Sequence, residues 1–354
     1  MFNSDDHTVL MMRRAGKVLL MAVVILWSTR SFEGSSNQDK DRNFSLKVPV
    51  ELVVVPVTVE DNDGKPIAGL QKEDFEILDE GVRQNISYFS ADPIPLSVAI
   101  LIDRSTDNST QGMIQETMLS LVEAFSTFDE MALFQFEHTT DKIQSFTSNK
   151  EDFLKAFKKI SLKGASTGFG GGPFSGGQFG GENTLGGIPL ETGKGKVPPP
   201  KTLNTHIHDA IFAAAQELRL RDQNHRKIMI VISNGQNAPG NRNSYDQTLE
   251  SLLRTEILVY GIAQGSSLIY RKFNTLSKYT NPTGGDVFYP VKSSGFAETY
   301  QKIAQLARNK YVLGFTPQSD VKEVAFRKIT VRVKDEKLKV DAVRSRKGYY
   351  ALPR

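Results

Sequence analysis

The sequence predicts a doubly wound, mostly parallel α/β sheet accompanied by a small β-sandwich that the N- and C-terminal strands build together. Three observations lead there. Between residues 94 and 310, continuous apolar runs alternate with segments of helical periodicity, as strands covered on both faces require. On either side, residues 46–92 and 311–354 are patterned as β structure without helices. Two β segments flanking an inserted α/β region are expected to pair with each other, and 354 residues are ample for both cores.

At the N-terminus, Arg13, Arg14 and Lys17 precede an apolar run from Val18 to Trp27, and polar residues follow. That order is the one of an export signal, and about ten apolar residues are too few to span ~30 Å of hydrocarbon. Residues 1–30 are therefore expected to be a signal peptide or an uncleaved inner-membrane anchor, and 31–45 a linker. The expected location is periplasmic or extracellular, with membrane contact only through this segment.

From Leu46 the β pattern begins with "LKVPVELVVVPVTVED" and closes on "DNDGK", a turn expected to use positive φ at Asp63 and Gly64. "FEILDEGVRQNISYF" repeats the arrangement, with two β runs around Asp79, Glu80 and Gly81. The carboxylates of Asp61, Asp63, Asp79 and Glu80 are explained by turn chemistry more simply than by calcium.

The period changes after the strand Leu96–Ile102. Ile114, Met118, Leu121, Val122 and Phe125 fall on one face of a helix over about 111–127. Met131–Phe136 reads as a buried strand, and Lys150–Ile160 as a helix with Ser148 or Asn149 at its N-cap. Helices over 207–220, 244–254, 268–278 and 296–308 then alternate with strands over 227–232, 257–262 and 287–289. In the last segment, Ile329, Val331 and Val333 alternate with polar residues, as in a half-exposed antiparallel strand. Residues 164–200 are rich in glycine and cannot bury enough apolar surface to order themselves, so a loop is expected. Its Phe169, Phe174 and Phe179 are candidates for docking on a partner, and a plain spacer is the competing reading.

Charge and composition exclude several functions. The formal net charge of +4 comes from 44 basic and 40 acidic side chains with no long block of one sign, which gives no reason to expect nucleic acid. The absence of cysteine removes disulfides, thiolate metal sites and cysteine nucleophiles.

Ligands of doubly wound sheets bind beyond the carboxyl ends of the strands, at the point where strand order reverses. Asp103, Ser105 and Asp107 follow directly on a central-strand candidate, Thr205 stands before a helix, and Ser233 and Asn234 end another strand. The segments "DRSTD", "THIHDA" and "SNG", in this order and context, resemble the metal-ion-dependent adhesion site of von Willebrand factor A domains. The flanks, including "VPVTVEDNDGKPIAGLQKEDFEILDEGVRQNISYFS", "YVLGFTPQSD" and "FRKITVRVKDEKLKVDAVRSRKGYY", look like the acidobacterial group of that family, over roughly residues 46–352. The resemblance implies Mg²⁺ or Mn²⁺ held by Asp103, Ser105, Asp107, Thr205 and Asn234, with a protein or surface-polymer partner supplying a further ligand. Two positions depart from the pattern: Asp107 stands in place of a serine and Asn234 in place of an aspartate. A carboxylate at 107 would partly neutralise the ion and weaken its pull on an acidic partner. A metal-free cluster, with Asp103 capping the following turn, is the alternative.

His206 and His208 suggest zinc, but residues two apart on a helix point about 200° away from each other. Ser105 with a histidine and Asp209 can be drawn as a hydrolase triad, yet no Gly-x-Ser-x-Gly elbow surrounds Ser105. The expected function is therefore an exported adhesion-type binding module and not an enzyme, the alternative being a metal-free scaffold in an envelope assembly. The sequence does not determine oligomeric state.

Overall fold

The computed structural model describes residues 52–106, 108–160, 184–185, 188–189, 205–264, 275–308, 310–318, 321–334 and 340–353. Residues 1–30, expected to be an export signal or anchor, the expected linker 31–45, Phe169, Phe174, Phe179 and Asp107 lie outside them, as does the glycine-rich stretch apart from a two-rung hairpin.

The α/β part is a six-stranded sheet whose fully buried central strand is β5 (Leu96–Asp103). Parallel to it on one side runs β6 (Glu130–Phe136), followed by an antiparallel edge strand β7 (Thr140–Thr147). The hairpin strands Thr184–Leu185 and Ile188–Pro189 are β8 and β9. On the other side of β5 come β10 (Arg226–Ser233), β11 (Leu258–Ala263) and β12 (Val287–Phe288), all parallel. The order is therefore β12-β11-β10-β5-β6-β7, and it reverses between β5 and β10.

Alternate residues of β5 feed two cores. Val98, Ile100 and Ile102 pack with Ile114, Met118 and Leu121 of α1 (Asn108–Ala124), Phe153 of α2 (Lys150–Phe157), and Phe296, Tyr300 and Ile303 of α6 (Ser293–Arg308). Ala99 and Leu101 pack with Ile207, Ile211 and Leu218 of α3 (Ile207–Arg219), Leu252 of α4 (Tyr245–Arg254), and Leu276 and Tyr279 of α5 (Thr275–Thr283). Of the two N-cap candidates for α2, Asn149 serves: its Oδ1 accepts from Glu151 N at 2.9 Å. The doubly wound fold expected from the sequence is the fold observed.

The sandwich is built from both ends of the chain. Its first sheet has the order β15-β1-β13-β4, formed by Val340–Ser345, Val53–Asp61, Tyr311–Phe315 and Ile86–Ser90 respectively. Its second has the order β16-β14-β2-β3, formed by Gly348–Ala351, Ala325–Val333, Phe75–Asp79 and Val82–Gln84. Val53, Val55, Val57 and Val59 of β1 meet Phe75, Ile77, Leu313, Phe315 and Ile329 in one core. Glu80 and Gly81, at φ 50° and 81°, form the two-residue turn between β2 and β3, whose left-handed backbone suits the strand twist.

Three local expectations need correction, and one strand, β7, was not anticipated. The second run of "FEILDEGVRQNISYF" divides at Asn85 into β3 and β4, and β4 joins the opposite sheet. Only Gly64 of "DNDGK" takes positive φ, at 68°, because Asp61 Oδ1 accepts from the backbone N–H groups of Asp63 and Lys65 and closes the turn by itself. The helix expected over 268–278 extends beyond its expected end to Thr283, past Pro282, in its described part Thr275–Thr283, while residues 268–274 lie outside the described residues. β7 has a polar sequence whose edge position leaves little apolar signal. Among the described residues, no helix is long and apolar enough to cross a membrane.

A buried ion pair ties the second sheet of the sandwich together. Asp79 is fully buried, accepts from Arg327 Nε at 3.0 Å and receives the Tyr349 hydroxyl at 3.1 Å. Arg327→Ala leaves the carboxylate buried without its cation and is expected to cost about 3 kcal/mol in urea unfolding, against about 1 kcal/mol for Tyr349→Phe. In the α/β part, Glu130 accepts from Arg221 Nε at 2.8 Å and Nη2 at 2.6 Å, and from Ser97 Oγ at 2.6 Å. Burial works against its charge, but these bonds and the charges of Arg221 and His225 outweigh it and hold the carboxyl below its ordinary value. A carboxyl depressed on folding contributes stability above its unfolded value and loses that contribution as pH falls through the folded one. Arg221→Ala is therefore expected to lower stability by about 1 kcal/mol at pH 7, with the deficit disappearing in acid, in unfolding titrations across pH 2–7.

Candidate metal-ion site

Asp103 ends β5 one residue beyond the Ile102–Ile232 rung, so it lies level with Ser233, the last residue of β10. The reversal of strand order opens the space above these two ends. Asp103 is fully buried, and each carboxylate oxygen is engaged. Oδ1 accepts from Ser105 N at 2.8 Å and Ser105 Oγ at 2.6 Å, while Oδ2 accepts from Ser233 Oγ at 2.6 Å. Burial pushes the carboxyl up from its ordinary value; the hydrogen bonds from Ser105 and Ser233 oppose that, and the charge of Glu137 adds to it.

The turn after β5 is pinned at several points. Arg104 N donates to Phe136 O at 2.9 Å, Thr106 Oγ1 to Asp103 O at 3.1 Å, and Gln111 Nε2 of α1 to Thr106 O at 2.8 Å. The exposed Ser105 hydroxyl is thereby brought to 2.8 Å from Thr205 Oγ1 across a sequence separation of 100 residues. Thr205 is buried, and its carbonyl accepts from Ala238 N at 2.8 Å.

Thr205 owes its position to an unusual helix start. His206, at the N-cap of α3, makes no side-chain cap. The loop after β10 supplies the acceptors instead: Asn237 Oδ1 takes Ile207 N at 3.0 Å, and Asn241 Oδ1 takes His208 N at 3.1 Å and Asp209 N at 3.3 Å. Asp209 secures the same loop by accepting from Arg242 N at 2.9 Å and from Asn243 N and Nδ2, each at 2.8 Å. Burial disfavours the Asp209 charge, but these bonds and nearby His206 hold its carboxyl below the ordinary range. Helix start and loop therefore form one unit, satisfying the orphan N–H groups without a local cap.

The structure thus brings Asp103, Ser105 and Thr205 together. Asn234, the fourth described candidate, turns its Oδ1 to its own loop and accepts from Gln236 N at 2.9 Å. The contact from that strand end comes from Ser233, which the sequence reading placed at the strand end but not in the site; its hydroxyl also accepts from Gly235 N at 3.0 Å. Aligning the apolar runs of β5 and β10 places Ser233 beside Asp103, and that is the signal that marks it. His206 and His208 diverge as helical geometry requires: His208 Nδ1 lies 2.7 Å from Tyr279 Oη, whereas His206 Nδ1 is 3.9 Å from Asp209 Oδ2.

Among the described residues, no group of three or more His, Cys, Asp or Glu side chains is placed to hold a metal. A hydroxyl-based site is a different class, and the residues fit one. Octahedral Mg²⁺ with bonds of about 2.0–2.1 Å sets neighbouring oxygens about 2.9 Å apart. The Ser105 and Thr205 hydroxyl oxygens stand 2.8 Å apart, with the Asp103 carboxylate beside Ser105.

No family model and no curated protein matches the sequence. Several solved structures are similar to the chain. The von Willebrand factor type A protein from Catenulispora acidiphila is 8% identical with a TM-score of 0.44, over 86% of this chain and 74% of that one. BatB from Bacteroides thetaiotaomicron is 14% identical with a TM-score of 0.40, over 60% of this chain and 98% of that one. Proximal thread matrix protein 1 from the mussel byssus, solved with a zinc-occupied MIDAS motif, is 16% identical with a TM-score of 0.39, over 65% of this chain and 49% of that one. These values describe a similarity; the doubly wound fold itself rests on the strand order and pairing of this chain, and the acidobacterial group finds no matching family model.

Proposed function

We propose that this chain is an exported binding module whose cation-dependent face, at the carboxyl ends of β5 and β10, engages an acidic group of a protein or surface polymer. The observation that carries the reading is the Ser105–Thr205 hydroxyl pair at 2.8 Å, backed by the buried Asp103 carboxylate. Ser105, Thr205 and Asp103 would hold Mg²⁺ or Mn²⁺, the first two directly. The ion would supply an electron-poor centre for a partner's carboxylate. The protein's part is to fix the two hydroxyls and to keep Asp103 from reorienting, through Ser233 on one oxygen and Ser105 on the other. The export signal read in residues 1–30 would take the module out of the cytoplasm, free or held at the inner membrane.

Binding is favoured over hydrolysis by the partners of Ser105. Its hydroxyl meets Asp103 and Thr205, while His208 is engaged by Tyr279 and His206 faces Asp209, so neither of these two histidines is placed as its base. A metal-free scaffold has one observation in its favour: three hydrogen bonds already satisfy Asp103.

Thermal unfolding with and without millimolar Mg²⁺ or Mn²⁺ separates the two. An ion present at 100 times its dissociation constant adds about 2.7 kcal/mol, a rise of several degrees in Tm for a domain of this size. Ser105→Ala is expected to abolish the rise and also to lower the metal-free Tm modestly, since it removes one of the three donors to the buried Asp103 carboxylate. No rise in the wild type would remove the metal-dependent version. Affinity capture from an envelope fraction is expected to lose its partner in Ser105→Ala when metal is present.

A further inference from the structure

We propose that His138 and His206 form a second metal site, for a borderline divalent ion of the Zn²⁺ class, at the rim of the same face. His138 lies on the turn between β6 and β7, and His206 immediately precedes α3. Two backbone bonds fix their approach: His206 N donates to Glu137 O at 2.8 Å, and Glu137 N donates to Thr139 O at 3.1 Å. The imidazole rings stand with centroids 5.5 Å apart and planes at 87°. Two imidazoles on one tetrahedral Zn²⁺, with Zn–N of about 2.0–2.1 Å, have centroids about 5 Å apart, close to the separation here, and shared coordination requires the rings to turn out of their edge-to-face contact.

The surroundings of His206 favour this use. Its Nδ1 is directed toward Asp209 Oδ2 at 3.9 Å, and Asp209 is itself held by Arg242 and Asn243. A carboxylate that closes to hydrogen-bond distance on one ring nitrogen would orient the other toward a metal and raise its basicity. On the Nε2 side stands Gly240, at φ 94°, where even a Cβ would lie 3.8 Å away, so no side chain from this position fills the space beside the nitrogen. His138 is exposed and open to solvent. His208, which the sequence pairs with His206, is bonded to Tyr279 and takes no part.

The site is independent of the Mg²⁺ reading, because it uses no atom of Asp103, Ser105 or the Thr205 side chain. It also selects a different ion: imidazole suits zinc, nickel and copper, whereas hydroxyl oxygens suit magnesium. Two protein ligands leave positions open for water or for a donor from a bound partner, so both sites would present open coordination on one face.

The test is calorimetric titration of ZnCl₂ into the untagged full chain with millimolar Mg²⁺ present throughout. One Zn²⁺ is expected to bind, with affinity at least tenfold weaker in His138→Ala and in His206→Gln. Ser105→Ala and His225→Ala are expected to bind Zn²⁺ as the wild type does. His138 is exposed, so its removal should leave folding intact, and an unchanged Tm in the metal-free protein checks this. Equal affinity in wild type and His138→Ala, or no Zn²⁺ binding in the wild type, would overturn the proposal and leave the pair as an edge-to-face ring contact. Loss of Zn²⁺ binding in Ser105→Ala would relocate the ion to the hydroxyl site and overturn the proposal equally.

Discussion

β5 is paired along both edges and covered on both faces, and this double confinement organises the α/β part. Because β10 and β6 take its two edges, the chain must leave in opposite directions on either side, and the strand order reverses beside its carboxyl end. A strand buried on every side has one outlet for polar chemistry, its end. Asp103 occupies that outlet, and its burial would be costly without the three donors that Ser105 and Ser233 provide.

The rest of the site follows from making those donors available. The turn carrying Ser105 is anchored to β6 through Arg104 and to α1 through Gln111. Thr205 is positioned by a helix whose first N–H groups are satisfied by Asn237 and Asn241 from another loop. Helix start, loop and strand ends therefore share one hydrogen-bond network, and a change at Asn241 would be felt at Thr205. The arrangement holds the two hydroxyls in place before any ligand arrives, which reduces the ordering cost of binding.

The strands and helices were legible wherever burial was periodic: β5, β6, β10, β11 and α3 follow directly from apolar spacing. β7 was not, because an edge strand with a polar face lacks that spacing. The split of β3 from β4 was hidden because one continuous β-forming run serves two sheets. In the site, residue type and strand context pointed to Asp103, Ser105 and Thr205. They could not separate Ser233 from Asn234, since two neighbouring polar residues at a strand end differ in the face they take, and only the register with β5 assigns it.

By itself, the sequence determined the class of fold, the return of the C-terminal strands to the N-terminal ones, and the chemistry on offer at the switch point, because these depend on periodicity and on residue type. Which oxygens meet, which histidine faces which neighbour, and which loop caps α3 were decided only by tertiary structure. Ser105 reaches Thr205 across 100 residues, and His206 faces His138 and Asp209 while His208 turns to Tyr279. Such contacts depend on the register and twist of a packed sheet, quantities that no local stretch of sequence contains.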